Sequence, residues 1–496
     1  SWLKDYVDIA LTPEALAERL TLAGLEVESI TTVGELWDRD KIIVGQILEV
    51  VRHPEADRLT LVRVDYGAGQ PMTVVTGAPN MMPYIGQDLS GGKGPKVAYA
   101  LSGARLIDGH SEERRIVKLK PSKIRGIVSE GMVCSEKELD LSDSHEGNLV
   151  LPDDAPVGMP LFDYMGDVVL DYDVKGAFGH LQCVYGAARE AAALTGQPLR
   201  RDVITILERK PVGISGDADF AAIEIPAPDL CLRYSAALIE GVKVGPSPMW
   251  LQQRLLRAGM RPIDNVVDVT NYVMLELNQP SHPYDLDRLG GGGFRIRTAR
   301  AGEQMATLDG VTRTFSDTDL LICDGDDAPI GIGGIMGGLD TEITDDTATV
   351  VLEAAWFTPA TILEMSPRLQ LRSEASIRYE RGCDPYVIDT AVARFAELLG
   401  ETCPDLVVHA GGADARGSGL PDAQRSTTVR VTEVNRILGT TLSADDLPAL
   451  LDPIGFTVTG TGDVRTVALP SWRPDCTAEV DVAFLAEIEG WRDLLA

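Results

Sequence analysis

From residue 41 to about 155 the chain is a succession of short β-branched runs, "IIVGQILEV", "TLVRVDYG" and "MTVVTGA", separated by turn residues. Runs this short and this closely spaced pair with their sequence neighbours as antiparallel strands, and they predict a small barrel or sandwich. Helical patterns flank it. Thr12 can cap and Pro13 opens the first turn of "PEALAERLTLAGLEV", whose apolar residues recur at helical spacing before Gly24. "YGAAREAAALTG" (185–196) is a second helix, closed by Gly196.

Beyond it, from about 212 to 405, helices and strands alternate without a strict βαβ rhythm. "PSPMWLQQRLLRAGM" is an amphipathic helix, "FRIRTAR" an alternating strand, "TATVVLEAAWF" another strand and "YVIDTAVARFAELLG" a helix ending at Gly400. This mixture fits an α+β class rather than a doubly wound sheet. "GGADARGSGLPDAQ" (411–424) has the composition of a linker, and a small unit of strands and helices follows it, ending in an acidic helix. At 496 residues the chain has length for three or four domains.

A net charge of −30 argues against a DNA-coating or membrane-surface protein, and no run of 18 apolar residues spans a bilayer. One local basic stripe stands out, "RRIVKLKPSKIRG" (114–126), with Lys118, Lys120, Lys123 and Arg125. It reads equally as a nucleic-acid contact and as a solvated strand face. The seven cysteines are scattered singly with no C-x-x-C pair, the usage of a reducing, cytoplasmic chain. The absence of a starting Met is what a fragment leads one to expect.

Familiar nucleotide motifs fail on inspection. "GGKGPK" (91–96) lacks the spacing of a phosphate loop, and the glycines 290–293 have no strand feeding a helix. More telling is "NVVDVTNYVMLELNQPSHPYDLD" (265–287). One of only six histidines, His282, stands between Pro280 and Pro283, where the prolines restrict the backbone and predict a turn that aims the imidazole. A histidine in such a turn is otherwise a hydrogen-bonded surface residue.

Four stretches together resemble one family, the β subunits of bacterial phenylalanyl-tRNA synthetase. "LAGLEVESI" resembles its N-terminal helical unit, and "VVRHPEADRLTLVRVDYG…VVTGAPNM" its tRNA-binding oligonucleotide-binding (OB) fold. "RPIDNVVDVTNYVMLELNQPSHPYDLD", "IGGIMGG" and "LRSEASIRYERGCDP" resemble the B3/B4 editing region. "VNRILGTTLSADDLPALLDPIGF" with "PSWRPD" resembles the small B5 unit. The resemblance implies a discontinuous N-terminal domain (1–40 plus 156–205), an inserted OB-fold tRNA-binding domain (41–155), a B3/B4 editing domain (206–410), the linker (411–424) and a B5 α/β domain (425–496).

It also implies a site. An apolar phenylalanine pocket discriminates only weakly, by about 10², against an isostere that merely adds a hydroxyl, so tyrosine calls for hydrolytic editing. By resemblance Glu353 recognises the extra hydroxyl, while Thr270, His282 and Gly333 position the ester and a water. The competing reading pairs Glu353 with Arg372, Arg378 or Arg381. The glycines of "GIGGIMGG" (331–338) suit close approach of main chain to a ligand, and Gly333, where the family commonly has Ala, should loosen the pocket wall.

The chain departs from the family in three places. "DVKGAFGHLQCVYGAARE" (173–190) replaces a TPNR-type stretch. Of the family's Mg²⁺ carboxylates Asp475 and Asp481 match, but Phe484 and Leu485 stand where adjacent acids belong; Glu487 and Glu489 come later. And the chain stops at Ala496, as a fragment or a shortened protein does. The family implies a partner α subunit in an α2β2 assembly that uses ATP, and tRNA(Phe) as ligand. The alternatives are a stand-alone trans-editing hydrolase and a non-catalytic tRNA-binding or assembly module whose pocket has drifted.

Overall fold

The computed structural model describes residues 1–176, 178–209, 222–409 and 413–490. They divide into two compact units, Ser29–Asp171 and Ser1–Glu28 with Tyr172–Ala496.

The Ser29–Asp171 unit is built around Ile42–His53. The first half of this long strand pairs antiparallel with Lys96–Leu101 and its second half with Ala56–Asp65, which carries Met72–Thr76 on its other edge. Gly131–Val133 and Val150–Leu151 both pair with Lys96–Leu101. A bulge between Ile47 and Glu49 marks the change of partner and gives the bend that a coiling sheet needs. Ile47, Val62, Val64, Val74, Val97 and Tyr99 fill the interior at alternate positions along their strands. Two short ribbons, Arg105–Ile107 with Ile116–Lys118 and Ser122–Ile124 with Ile127–Ser129, project from this barrel-like sheet.

In the other unit the helix Pro13–Leu22 starts where expected, with Thr12 Oγ1 accepting from Ala15 N at 3.3 Å. The large core is two sheets. One runs Ala222–Glu224, Gly293–Thr298, Leu320–Asp324, Pro329–Ile332, Met336–Gly337. The other runs Ser281–Asp285, Thr349–Phe357, Cys231–Glu240, and Val407–Val408 and Ala413–Arg416 both pair with the last of these. Thr349–Phe357 is buried at every position after the first, which is why its sequence is a continuous apolar run. Phe294 of the first sheet meets Tyr234 and Tyr284 of the second, with ring centroids 5.4 and 5.6 Å apart.

The stretch read as a linker contains a strand. Arg233, fully buried, donates to Asp414 from Nε at 3.0 Å and to Asp389 from Nη2 at 2.8 Å, which ties Ala413–Arg416 down; residues 411 and 412 lie outside the described ones. The last part of the chain forms the sheet Arg425–Arg430, Val464–Leu469, Thr457–Thr459 with helices Val431–Leu438, Asp446–Leu451 and Glu479–Gly490 around one apolar core.

Candidate active site

Asp264 caps the helix Asn265–Leu277, its Oδ1 accepting from Val266 N and Val267 N at 2.9 Å each. The helix ends on Asn278 in the left-handed region (φ 63°), and the chain enters Ser281–Asp285. His282 is therefore in a strand, not the turn its prolines suggested. The strand is at the sheet's edge, paired among the described residues only with Thr349–Phe357, and an edge has an unpaired flank where Pro283 is tolerated. The register sets His282 directly opposite Glu353, with Ala236 opposite Glu353 on the other side. Two sequence-distant candidates thus become cross-strand neighbours on one sheet face.

Period-two alternation adds Tyr284 and Tyr234 to that face. Tyr284 Oη donates to Glu353 Oε2 at 2.9 Å. The Tyr234 hydroxyl lies close to the same carboxyl and to Tyr284, but makes no well-formed hydrogen bond among the described residues. Glu353 is 5% exposed. Burial pushes its pKa up to about 7, against the opposing pull of the tyrosine hydroxyls. Of the arginines weighed as partners, Arg372 pairs with Glu380 and Arg378 with Glu374, and among the described residues Glu353 forms no ion pair with any of the three. His282 is half-buried as a residue, but its Nε2 is sealed and partnerless, and burial lowers its pKa to about 4. Its ring stands edge-on to Tyr284, 4.6 Å between centroids.

The glycine run makes room for these side chains. A Cβ on Gly337 would stand 2.4 Å from His282 Cε1 and Nε2, and one on Gly331 3.1 Å from Tyr284 Oη. Gly333 does not loosen the wall. The space an alanine methyl would take is filled by Leu320 Cγ at 3.0 Å and Phe357 Cε1 at 3.4 Å. Thr270 is buried on the Asn265–Leu277 helix, and its Oγ1 donates to Val267 O at 2.7 Å, so the hydroxyl keeps only acceptor capacity. The divergent 173–190 corner lies beneath this helix: Asn278 Nδ2 donates to Gly179 O at 3.2 Å, and Arg378 Nη2 to Gln182 O at 3.0 Å.

Tyr234, Tyr284 and Gly337 were missed in the sequence. A strand reading of "SHPYD" would have found Tyr284 two residues from His282 on the same face; Tyr234 needs a register that no local pattern carries.

Asp475 and Asp481 do not fit a magnesium ion. The Arg473 guanidinium holds Asp475 at 2.8 and 2.5 Å; burial works to raise that carboxyl's pKa, but the guanidinium overcomes it and keeps it low. Asp481 Oδ2 caps its own helix, accepting from Thr477 N and Ala478 N at 2.8 and 2.9 Å. Phe484 and Leu485 offer no oxygen, and among the described residues no three His, Cys, Asp or Glu side chains are grouped to hold a metal. Lys118, Lys120, Lys123 and Arg125 are all exposed, on the two ribbons and the connection between them, whereas Arg114 of the same stripe is held by Asp140.

Residues 42–160 match the putative tRNA binding domain family, 230–404 the B3/4 domain family and 427–483 the tRNA synthetase B5 domain family. The phenylalanine–tRNA ligase beta subunit of Dehalococcoides mccartyi is 42% identical over 99% of this chain and 60% of its own length. Those of Moorella thermoacetica and Syntrophotalea carbinolica are 40% and 38% identical over 99% and 100% of the chain and 58% and 59% of their own lengths. The chain spans about three fifths of these relatives, and across that span nearly its whole length is similar to phenylalanine–tRNA ligase β subunits.

Proposed function

We propose that the chain serves as the β subunit of a phenylalanine–tRNA ligase and hydrolyses tyrosine from Tyr-tRNA(Phe). The observation that carries this reading is the pairing of His282 with Glu353 across adjacent strands, the carboxyl buried among tyrosines with no cationic partner. Such a carboxyl has acceptor capacity for a phenolic hydroxyl, and phenylalanine would leave it unpaired. In the hydrolysis, water oxygen bonds to the ester carbonyl carbon, the bond to the ribose oxygen breaks, and that oxygen takes a proton. Tyrosine and free tRNA leave. Neutral His282 orients the water.

In this reading a partner α subunit activates phenylalanine with ATP in an α2β2 assembly in the cytoplasm. The exposed Lys118, Lys120, Lys123 and Arg125 contact the tRNA(Phe) backbone. Thr270 and Gly333 border the ester.

Hydrolysis of Tyr-tRNA(Phe), with Phe-tRNA(Phe) as control, tests the reading. Tyrosine release that falls in both His282→Ala and Glu353→Ala supports it. Release unchanged in both variants, or equal release of phenylalanine, refutes it.

A further inference from the structure

The two oxygens of Glu353 are not equivalent. Oε2 is taken by Tyr284 Oη, whereas Oε1 accepts no hydrogen bond among the described residues. Several polar groups surround the carboxyl. From the Cys231–Glu240 strand come Cys231 and Tyr234; from Ser281–Asp285 come His282 and Tyr284; from the helix Glu374–Tyr379 comes Tyr379.

Tyr284 is committed to Oε2, and two of the others are committed elsewhere. Cys231 Sγ donates to Arg233 O at 3.5 Å, and Tyr379 Oη lies 3.1 Å from Pro280 O and Ala355 O. His282 Nε2 is partnerless, and the hydrolysis uses the ring. That leaves Tyr234, fully buried, its hydroxyl close to the carboxyl and to Tyr284 but in no well-formed hydrogen bond among the described residues. A buried donor without a well-formed hydrogen bond is rare enough to require an explanation.

We propose that Tyr234 is a specificity residue of this pocket: the substrate phenol donates to Glu353 Oε1 and accepts from the Tyr234 hydroxyl, while Tyr284 is a positioning residue that fixes the carboxyl through Oε2. The proposal rests on the editing reading and deepens it. A phenolic hydroxyl is donor and acceptor at once, and an ionised carboxylate can serve only the donor half. Tyr234 supplies the other half from the same sheet face. Phenylalanine leaves both groups unpaired, so rejection of the cognate product draws on two buried groups rather than one. Tyr284 also favours the charged form of Glu353, the form that accepts from a phenol.

The test compares wild type, Tyr234→Phe and Tyr284→Phe in the α–β assembly on Tyr-tRNA(Phe) and Phe-tRNA(Phe), with melting curves confirming that each variant folds. Tyr234→Phe is expected to lower kcat/KM for Tyr-tRNA(Phe) by roughly 10- to 100-fold and to weaken the rejection of Phe-tRNA(Phe), so that discrimination falls from both sides. Tyr284→Phe is expected to move the pH midpoint of tyrosine discrimination upward, with recovery at alkaline pH, which a packing defect does not produce. If Tyr234→Phe keeps wild-type discrimination while Glu353→Ala abolishes it, the Tyr234 proposal is overturned and editing stands. If wild type releases no tyrosine, both fall together.

Discussion

Glu353 and His282 face each other with their ionisation displaced in opposite senses, and this gives a pH signature that can be worked out in advance. Burial carries Glu353 from its ordinary 4.5 to about 7, and His282 from its ordinary 6.5 to about 4. A carboxyl raised in the folded state contributes stability that is whole below 4.5 and is lost as pH rises through 7. A histidine lowered in the folded state contributes stability that is whole above 6.5 and is lost as pH falls through 4. Each slope is about 1.4 kcal/mol per pH unit, about 3 kcal/mol over its full window.

Between pH 4.5 and 6.5 the two oppose and nearly cancel in the wild type. Glu353→Gln, which mimics the neutral acid, exposes the histidine slope. The assay is hydrogen exchange of the Thr349–Phe357 amides, corrected for intrinsic rate, which reads local opening without requiring the whole chain to unfold in one step. Relative to wild type, protection in Glu353→Gln should grow by roughly two orders of magnitude from pH 4.5 to 7. His282→Gln should gain over wild type in the opposite direction, as pH falls from 6.5 to 4. Variant and wild-type curves that run parallel across this range would refute the burial argument for both groups.

Gly337→Ala drives a methyl into the His282 imidazole, so we expect about 1–3 kcal/mol of destabilisation and loss of tyrosine release with tRNA affinity retained, read by melting and filter binding. Replacing Lys118, Lys120, Lys123 and Arg125 together by Ala should flatten the dependence of log K on log salt for tRNA by about 3 if all four meet phosphate; an unchanged slope makes the stripe a solvated face. Because Arg473 already neutralises Asp475, chelation with EDTA should leave the melting of the B5 unit unaltered, while Arg473→Met, which strands a partly buried carboxylate, should cost about 3–5 kcal/mol.

How much of this was legible depends on where the determining contact lies. Thr349–Phe357 was legible because burial on both faces writes itself as an unbroken apolar run, and the helix at 184–195 because Gly196 stops it in the left-handed region (φ 66°). His282 was legible as a special residue but not as a strand residue. Its prolines predict a turn locally, and only the edge position, a property of sheet order, makes Pro283 tolerable. Tyr234 and Tyr284 are joined to Glu353 through cross-strand register over separations that no periodicity spans. The linker composition of 411–424 concealed a strand because the force that orders it, the buried Arg233 reaching Asp414, starts some 180 residues earlier. For the metal, spacing could place two carboxylates but could not say that a guanidinium had one and a helix end the other.

The low pKa of His282 restricts what kind of hydrolase this pocket can be. An imidazole that protonates only near 4 is almost entirely neutral at pH 7, and a base so weak takes little of the proton from an attacking water. Its usefulness lies in being neutral: Nε2 is packed against Gly337, and the half-exposed remainder of the ring is what can meet a water. That arrangement favours orientation over proton abstraction: a water held by the neutral ring is placed beside an ester whose own side chain is fixed at Glu353 one strand away. Rate would then come from holding the tyrosyl ester, and phenylalanine would be spared because nothing anchors it, not because its ester is chemically different. The consequence is a pH–rate profile set by Glu353, falling as pH drops below about 7, with no inflection from His282 between pH 5.5 and 8. An inflection near 6.5 that disappears in His282→Gln would instead identify the imidazole as a general base and overturn the orienting role.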